Sequence, residues 1–287
     1  MFLYSGQKLK LGVLMKVLIR LLALLFFTQV RAEPLVLVDS MGLLKAPMQT
    51  HPEADILRQI LAIYPDKVQV ENISRNRAKE WLEKSGNACI PYLKKTPDRE
   101  KHFLFTAPYM AEAALQLIVP ANSPWTAKLD LMLRVHPRVS LRELLHLKIS
   151  PLIGIEINRS YGVEIDKILE DNQKHPSLYM RTSSSESVGS LLPMLEKQFI
   201  DMVIEYPKIA DRSTQRLKYY PLQEAEAISL VYFACSKGKS GEMVVNSLND
   251  VLRSLSQQQA YLEIMRTGFP ESQRDKAIEY WQQSIKP

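Results

Sequence analysis

Thr96-Pro97-Asp98-Arg99 puts a helix start directly in front of an arginine. Threonine is a good N-cap, proline is tolerated at the first helical position, and aspartate favours the first turn. The Arg99 guanidinium therefore sits within a turn of several free backbone N–H groups, a fixed fork of donors beside a partial positive charge. The chemistry this supports is the capture of an anion; the plainer reading is a surface arginine capping its own helix. Upstream, Ala88 to Leu93 is an apolar run that reads as a strand. Tyr92 and Lys94 alternate along it, so both side chains leave on the same side as the chain approaches the helix.

Signs of catalysis or metal binding are missing. The histidines His51, His102, His136, His146 and His175 make no metal-ligand spacing, and there is no Gly-x-Ser-x-Gly elbow and no Gly-rich phosphate loop. No cofactor is expected, and the chain does not read as an enzyme. The formal charge of +6 on 287 residues overstates how basic the chain is. Lys8, Lys10, Lys16, Arg20 and Arg31 all precede residue 33, where no acid occurs, and without them the balance is +1. So nearly neutral a chain gives no electrostatic case for nucleic acid.

That amino-terminal stretch has the parts of a secretory signal: a basic start, an apolar run from Val17 to Phe27 broken by Arg20, and small residues at Val30 and Ala32. Cleavage is expected after Ala32, and synthesis starts at Met1 or Met15. An uncleaved membrane anchor is the alternative, against which the unbroken core Leu21 to Phe27 is too short to span a bilayer. Cys89 and Cys235 both fall in strand-like apolar runs. In an exported chain they form one disulfide or remain two buried thiols.

The elements that must position Arg99 alternate. Pro34 to Val38 is a short strand, and the loop Asp39-Ser40-Met41-Gly42 follows its carboxyl end. Glu53 to Tyr64 is an amphipathic helix stopped by Pro65, Val68 and Val70 mark a half-buried strand, and Ser74 starts a helix through Leu82. Strand, helix, strand, helix, strand argues for a largely parallel sheet with covering helices. Further on, Ser140-Leu141-Arg142-Glu143 is a capping box, Pro151 to Ile157 a buried strand feeding the helix Tyr161 to Leu169, and Glu186 to Lys197 a helix kinked at Pro193. Ile200 to Glu205 and Ile228 to Cys235 are strands. Ser240 starts a helix carrying Met243, Val244, Leu248, Val251 and Leu252 on an apolar face, and a last helix runs from Glu271 to Ile285.

Thr96-x-x-Arg99, a short spacer and then Phe105-Thr106-x-Pro108-Tyr109 resembles the extracellular solute-binding proteins of family 3, the periplasmic amino-acid-binding type. The likeness is sharpest from Ala78 to Val119. Within the family it is nearest a poorly characterised subgroup with a cysteine, here Cys89, where most members carry aspartate. The resemblance implies an α/β, two-lobed type II periplasmic-binding-protein fold with a two-segment hinge. The expected division is 1–32 signal, 33–119 first lobe, 120–225 second lobe, and 226–287 return to the first lobe with the C-terminal helices. It implies that Arg99 grips a ligand carboxylate, that the loop at Asp39 faces the ligand, and that Lys94 and Tyr92 shape an unusually cationic site. Arg159, Ser160 and Tyr161 occupy the matching place in the second lobe, where backbone N–H groups at a helix start remain available. Tyr206 stands where amino-acid binders place the aspartate that holds the ligand ammonium, with Glu205 one residue out of phase and turned to the other side of the strand. Lys94, Arg99 and Arg159 against Asp39 alone favour an organic anion over a zwitterion. The partners implied are a small-molecule ligand, an amino acid or organic anion, and a membrane permease, or else a receptor if the chain is a periplasmic sensor.

Overall fold

The apolar runs predicted as strands fall into two separate sheets. The computed structural model describes residues 34–44, 52–157, 159–182, 191–211 and 213–285, so the predicted leader and its cleavage site lie outside the described residues. From Pro34 onward the chain forms one compact unit.

The first part of the chain supplies β1 (Leu35–Val38), α1 (Pro52–Ile63), β2 (Val68–Glu71), α2 (Arg75–Lys84), β3 (Ala88–Leu93), the single turn α3 (Pro97–Glu100), β4 (Leu104–Phe105) and β5 (Met110–Ala113). The middle supplies β6 (Gln116–Pro120), α4 (Trp125–Val135), α5 (Leu141–Leu145), β7 (Ile153–Ile157), α6 (Val163–Asp171), β8 (Leu178–Thr182), α7 (Leu192–Glu196), β9 (Met202–Glu205), α8 (Pro207–Ala210) and β10 (Leu217–Pro221). Then come β11 (Ile228–Cys235), α9 (Lys239–Leu255), α10 (Gln259–Arg266), a 3-10 turn at Glu271–Gln273 and α11 (Arg274–Ile285).

The first sheet has the order β2-β1-β3-β11-β4, with β5 also paired to β11. Its early strands are parallel, as the alternating pattern requires, and β11 enters antiparallel to β3, β4 and β5. The second sheet has the order β10-β6-β9-β7-β8. Each sheet has its own buried core, and each therefore makes a lobe. Ile56, Leu57 and Ile60 of α1 pack into the first with Leu248 and Leu252 of α9; Ile153, Ile165, Ile168 and Ile204 build the second. The chain crosses between lobes at residue 114 and returns at residues 226–227, because Leu115, Leu222 and Ala225 still pack in the second core. The first crossing falls before β6 rather than after Val119, because Gln116–Pro120 already pairs with β9 and β10 of the second sheet.

Other expectations shift with local chemistry. Pro193 does not kink a helix; it lies in the first turn of α7, where its missing N–H costs nothing. The remainder of that predicted helix, residues 186–190, lies outside the described residues. The longest helix of the first lobe, α9, starts from Gly238 rather than Ser240, and Met243 is exposed rather than on its apolar face.

Candidate functional site

The Phe105-Thr106-x-Pro108-Tyr109 segment is locked by the end of the chain. Ala107 N–H donates to Asn249 Oδ1 (2.8 Å), Trp281 Nε1 donates to the Pro108 carbonyl (2.9 Å), and the Tyr261 hydroxyl donates to the Tyr109 carbonyl. Thr106 N–H and Oγ1 pair with the backbone of Phe233 in β11. The C-terminal helices thus fix β5 and, through β11, the edge of β3. Across that edge Cys89 and Cys235 are register partners and form a disulfide.

Beyond β3, Thr96 Oγ1 accepts the Arg99 N–H (3.4 Å) with Pro97 at the helix start, as the sequence indicates. The Arg99 guanidinium is half-buried, and its Nη1 donates to the Lys94 carbonyl at 2.8 Å, which draws the fork back over the strap that leads into α3. Lys94 crosses to β11. Its Nζ lies 2.5 Å from Ser229 Oγ and 3.5 Å from Glu226 Oε2. A side chain added at Gly162, in the second lobe, would come within 4.0 Å of the same Nζ. The lobes meet here, around a cavity of about 150 Å³ lined by Lys94, Thr96, Gly162, Val163, Glu226 and Tyr232.

Asp39 is 2% exposed and spends both oxygens on the turn beyond β1, accepting Leu43 N–H (3.0 Å) and Leu44 N–H (2.8 Å). It closes its own loop instead of presenting a bare carboxylate. Tyr92 has φ 62°, its N–H donates to the Tyr109 hydroxyl (3.1 Å), and the two rings meet edge to face at 5.8 Å.

The second lobe departs furthest from expectation. Arg159 makes a fork-to-fork pair with Glu205, at 2.6 and 2.5 Å, with Glu156 Oε2 at 3.7 Å. Its guanidinium lies 4.9 Å from the centre of the Tyr161 ring and 5.7 Å from that of Tyr206. Glu205 therefore does not face away from the site. Strand alternation does not carry past Glu205, where β9 ends: Tyr206 is already the cap of α8, and Tyr206 N–H donates to Glu205 Oε1 (2.8 Å). The groups just ahead of α6 are engaged as well. Ser160 Oγ and the Tyr161 N–H both donate to Asp166 (2.5 and 2.6 Å), and Gly162 N–H donates to Ser160 Oγ (3.3 Å). Tyr161 is buried in the second core, its hydroxyl accepting the Glu156 N–H (2.8 Å).

One residue of this cluster was not anticipated. Glu112, on β5, is the cross-strand partner of Ser229, so both project from the same face of the hinge strands. Burial pushes its carboxyl up to about 7, while Lys94, Tyr206 and Arg159 pull it down and Glu205 raises it further. Burial likewise raises the Tyr206 phenol, which lies against Glu112 and Ser229. An acid inside the apolar run from Met110 to Val119 was a visible signal. With Glu112, Glu156, Glu205 and Glu226 beside Lys94 and Arg159, the predicted excess of positive charge is absent, and with it the argument for an anion over a zwitterion.

No protein-family model matches the chain, and no curated protein matches it in sequence. Solved structures match it in fold. The arginine-, lysine-, histidine-binding protein ArtJ from Geobacillus stearothermophilus superimposes with a TM-score of 0.62 at 16% identity, covering 85% of this chain and 100% of that one. A putative L-cystine ABC transporter protein from Listeria monocytogenes gives 0.61 at 14% identity, covering 84% and 97%. An ancestral amino-acid-binding protein described as a precursor of cyclohexadienyl dehydratase gives 0.58 at 14% identity, covering 84% and 96%. The chain therefore has the two-lobed α/β fold of the substrate-binding proteins of amino-acid ABC transporters, the fold that its resemblance to solute-binding family 3 implies.

Proposed function

We propose that this chain is an exported solute-binding protein whose two lobes close on a small polar, carboxylate-bearing ligand and deliver it to a membrane transporter. The observation that carries the reading is the convergence of Lys94 and Glu112 from the first lobe with Arg159 and Tyr206 from the second, beside the crossings. Groups contributed by both sheets let a ligand favour one arrangement of the lobes over another, which is all that ligand-driven closure requires. Arg99 holds the carboxylate, at the position where family 3 carries its gripping arginine. A periplasmic location fits the predicted leader and the disulfide, since such bridges persist in oxidising compartments. Among the described residues no helix is long and apolar enough to cross a membrane.

A thermal-shift screen of residues 33–287 against amino acids, organic acids and short peptides tests this, since a ligand that binds the native state raises the melting point by mass action. A compound that stabilises the wild type is expected to lose at least about tenfold in affinity with Arg99→Ala, the loss of a charge-assisted carboxylate contact. A shift of equal size in both proteins sinks the role of Arg99.

A second reading is a periplasmic sensor that signals to a protein partner. It is favoured by the way the cleft's charges already satisfy one another, Arg159 with Glu205 and Lys94 with Ser229 and Glu226. Co-purification of a permease supports transport; recovery of a receptor or signalling enzyme supports sensing.

A further inference from the structure

The hinge strands β5 and β11 have two faces, and one of them carries Glu112 and its partner Ser229. The next pair along is Ala113 with Ile228. Successive side chains on a strand leave on opposite sides, so Ala113 and Ile228 project from the other face. Both line a cavity of about 670 Å³. The crossing residues Ala114 and Ala227 line it too, which puts it on the reverse of the hinge with walls from both lobes.

Each lobe brings two cations to this cavity. The second contributes Arg138, from the link between α4 and α5, and Lys208 of α8; the first contributes Arg274 and Lys276, in the opening turn of α11. Against these four the lining holds one acid, Asp211, which accepts the Tyr219 hydroxyl (3.0 Å) and lies 3.9 Å from Lys208. Asp275, between Arg274 and Lys276 in sequence, is 3.6 Å from Arg266 and is not part of the lining. Arg138 is half-buried, and its Nη1 donates to the Ala225 carbonyl (3.3 Å); Arg274 Nε donates to the Phe269 carbonyl (3.3 Å). A carbonyl takes up one donor and leaves the charge unmatched. Among the described residues no carboxylate pairs with Arg138, Arg274 or Lys276. This excess is local, since the balance beyond residue 32 is only +1. Pro137, Pro221, Leu222 and Phe269 add apolar lining. A concave, largely apolar space with a few convergent charges is the form of a small-molecule site.

We propose that this cavity is a second binding site, for a small organic anion with an apolar body and at least two acidic groups, one held by Arg138 and Lys208 and the other by Arg274 and Lys276. Two pairs of cations, one in each lobe, call for two acidic groups. Guanidinium forks match carboxylate and phosphate oxygens alike, and a sulfonate presents the same face of oxygens as a phosphate. The site is independent of the solute-binding reading above, and holds whether or not the cleft at Arg99 takes a ligand.

The test is calorimetric titration of residues 33–287 at low salt with naphthalenedicarboxylate and naphthalenedisulfonate, each beside its single-charge counterpart. One equivalent of a doubly charged probe is expected to bind, at least about tenfold more tightly than the singly charged one, and more weakly as salt rises. The tighter of the two probes tells a carboxylate ligand from a phosphate-like one. Arg138→Gln and Lys276→Gln, one from each lobe, are each expected to weaken it about tenfold. Lys276 is exposed and outside every hydrogen bond and ion pair of the described residues, so Lys276→Gln tests the site without disturbing the fold. Arg99→Ala is expected to leave probe affinity as it is, whatever it does to a solute. Absence of binding by both doubly charged probes overturns the proposal, as does equal affinity for probes of one and two charges. A loss with Lys276→Gln that Arg138→Gln does not share reduces the site to a surface patch on one lobe and overturns it too. So does a loss with Arg99→Ala, which would place the probe in the solute cleft.

Discussion

Arg159 and Glu205 are nearly sealed from solvent, with side chains 11% and 6% exposed. A buried ion pair adds little over a well-packed apolar pair, but removing one partner strands the other's charge. Arg159→Ala is therefore expected to lower stability by about 3–5 kcal/mol in urea denaturation, and Arg159→Met combined with Glu205→Leu to recover most of it. Equal losses in the single and double variants would show that the pair is not acting as a charge pair. Glu112 gives a pH dependence of definite sign. Its carboxyl titrates near 7 when folded against an ordinary 4.5, because burial favours the neutral form. Between those values the native state holds a proton that the unfolded chain has released, so this group's contribution is greatest below about pH 4.5 and is lost as pH rises through 7. Glu112→Gln should gain on the order of 3 kcal/mol relative to wild type between pH 4.5 and 8, measured by denaturation at each pH. A constant difference across that range would place the carboxyl in an ordinary, solvated setting.

At the scale of elements, legibility followed how local the cause was. β3 and β11 run as their apolar stretches predict, and the Thr96 cap forms, since each depends on neighbours in sequence. In α4, Pro120 and Pro124 drew attention to a crossing and hid a helix that begins one residue after the second proline. α10 has eight residues and buries only Tyr261, Leu262 and Met265, too few to show a period. The site was less legible than the fold. Arg99, Lys94 and Tyr92 could be singled out from spacing and Tyr206 from the family resemblance, but whether a charge is already matched depends on contacts such as Arg159 with Glu205, 46 residues apart. The Cys89–Cys235 bridge joins two elements of known register, and its loss is expected to cost about 2–5 kcal/mol. Comparing wild type with Cys89→Ala/Cys235→Ala in urea under oxidising conditions measures it; equal midpoints and slopes would deny the bridge a role in stability.

Across the whole molecule, one lobe is continuous in sequence and the other is not. The second sheet is assembled entirely from residues 116–221, while the first needs strands from before and after that segment. The bridge closes the interval, linking residues 146 positions apart around the whole second lobe. This imposes an order on biogenesis. As the chain emerges amino end first, Cys89 appears long before its mate, and β3 lacks the neighbour that completes its sheet. The second lobe has all its strands in hand before β11 emerges. The first-formed half of the protein is thus the last to be finished, and Cys89 must remain an unpaired thiol throughout that wait, open to any other cysteine it meets.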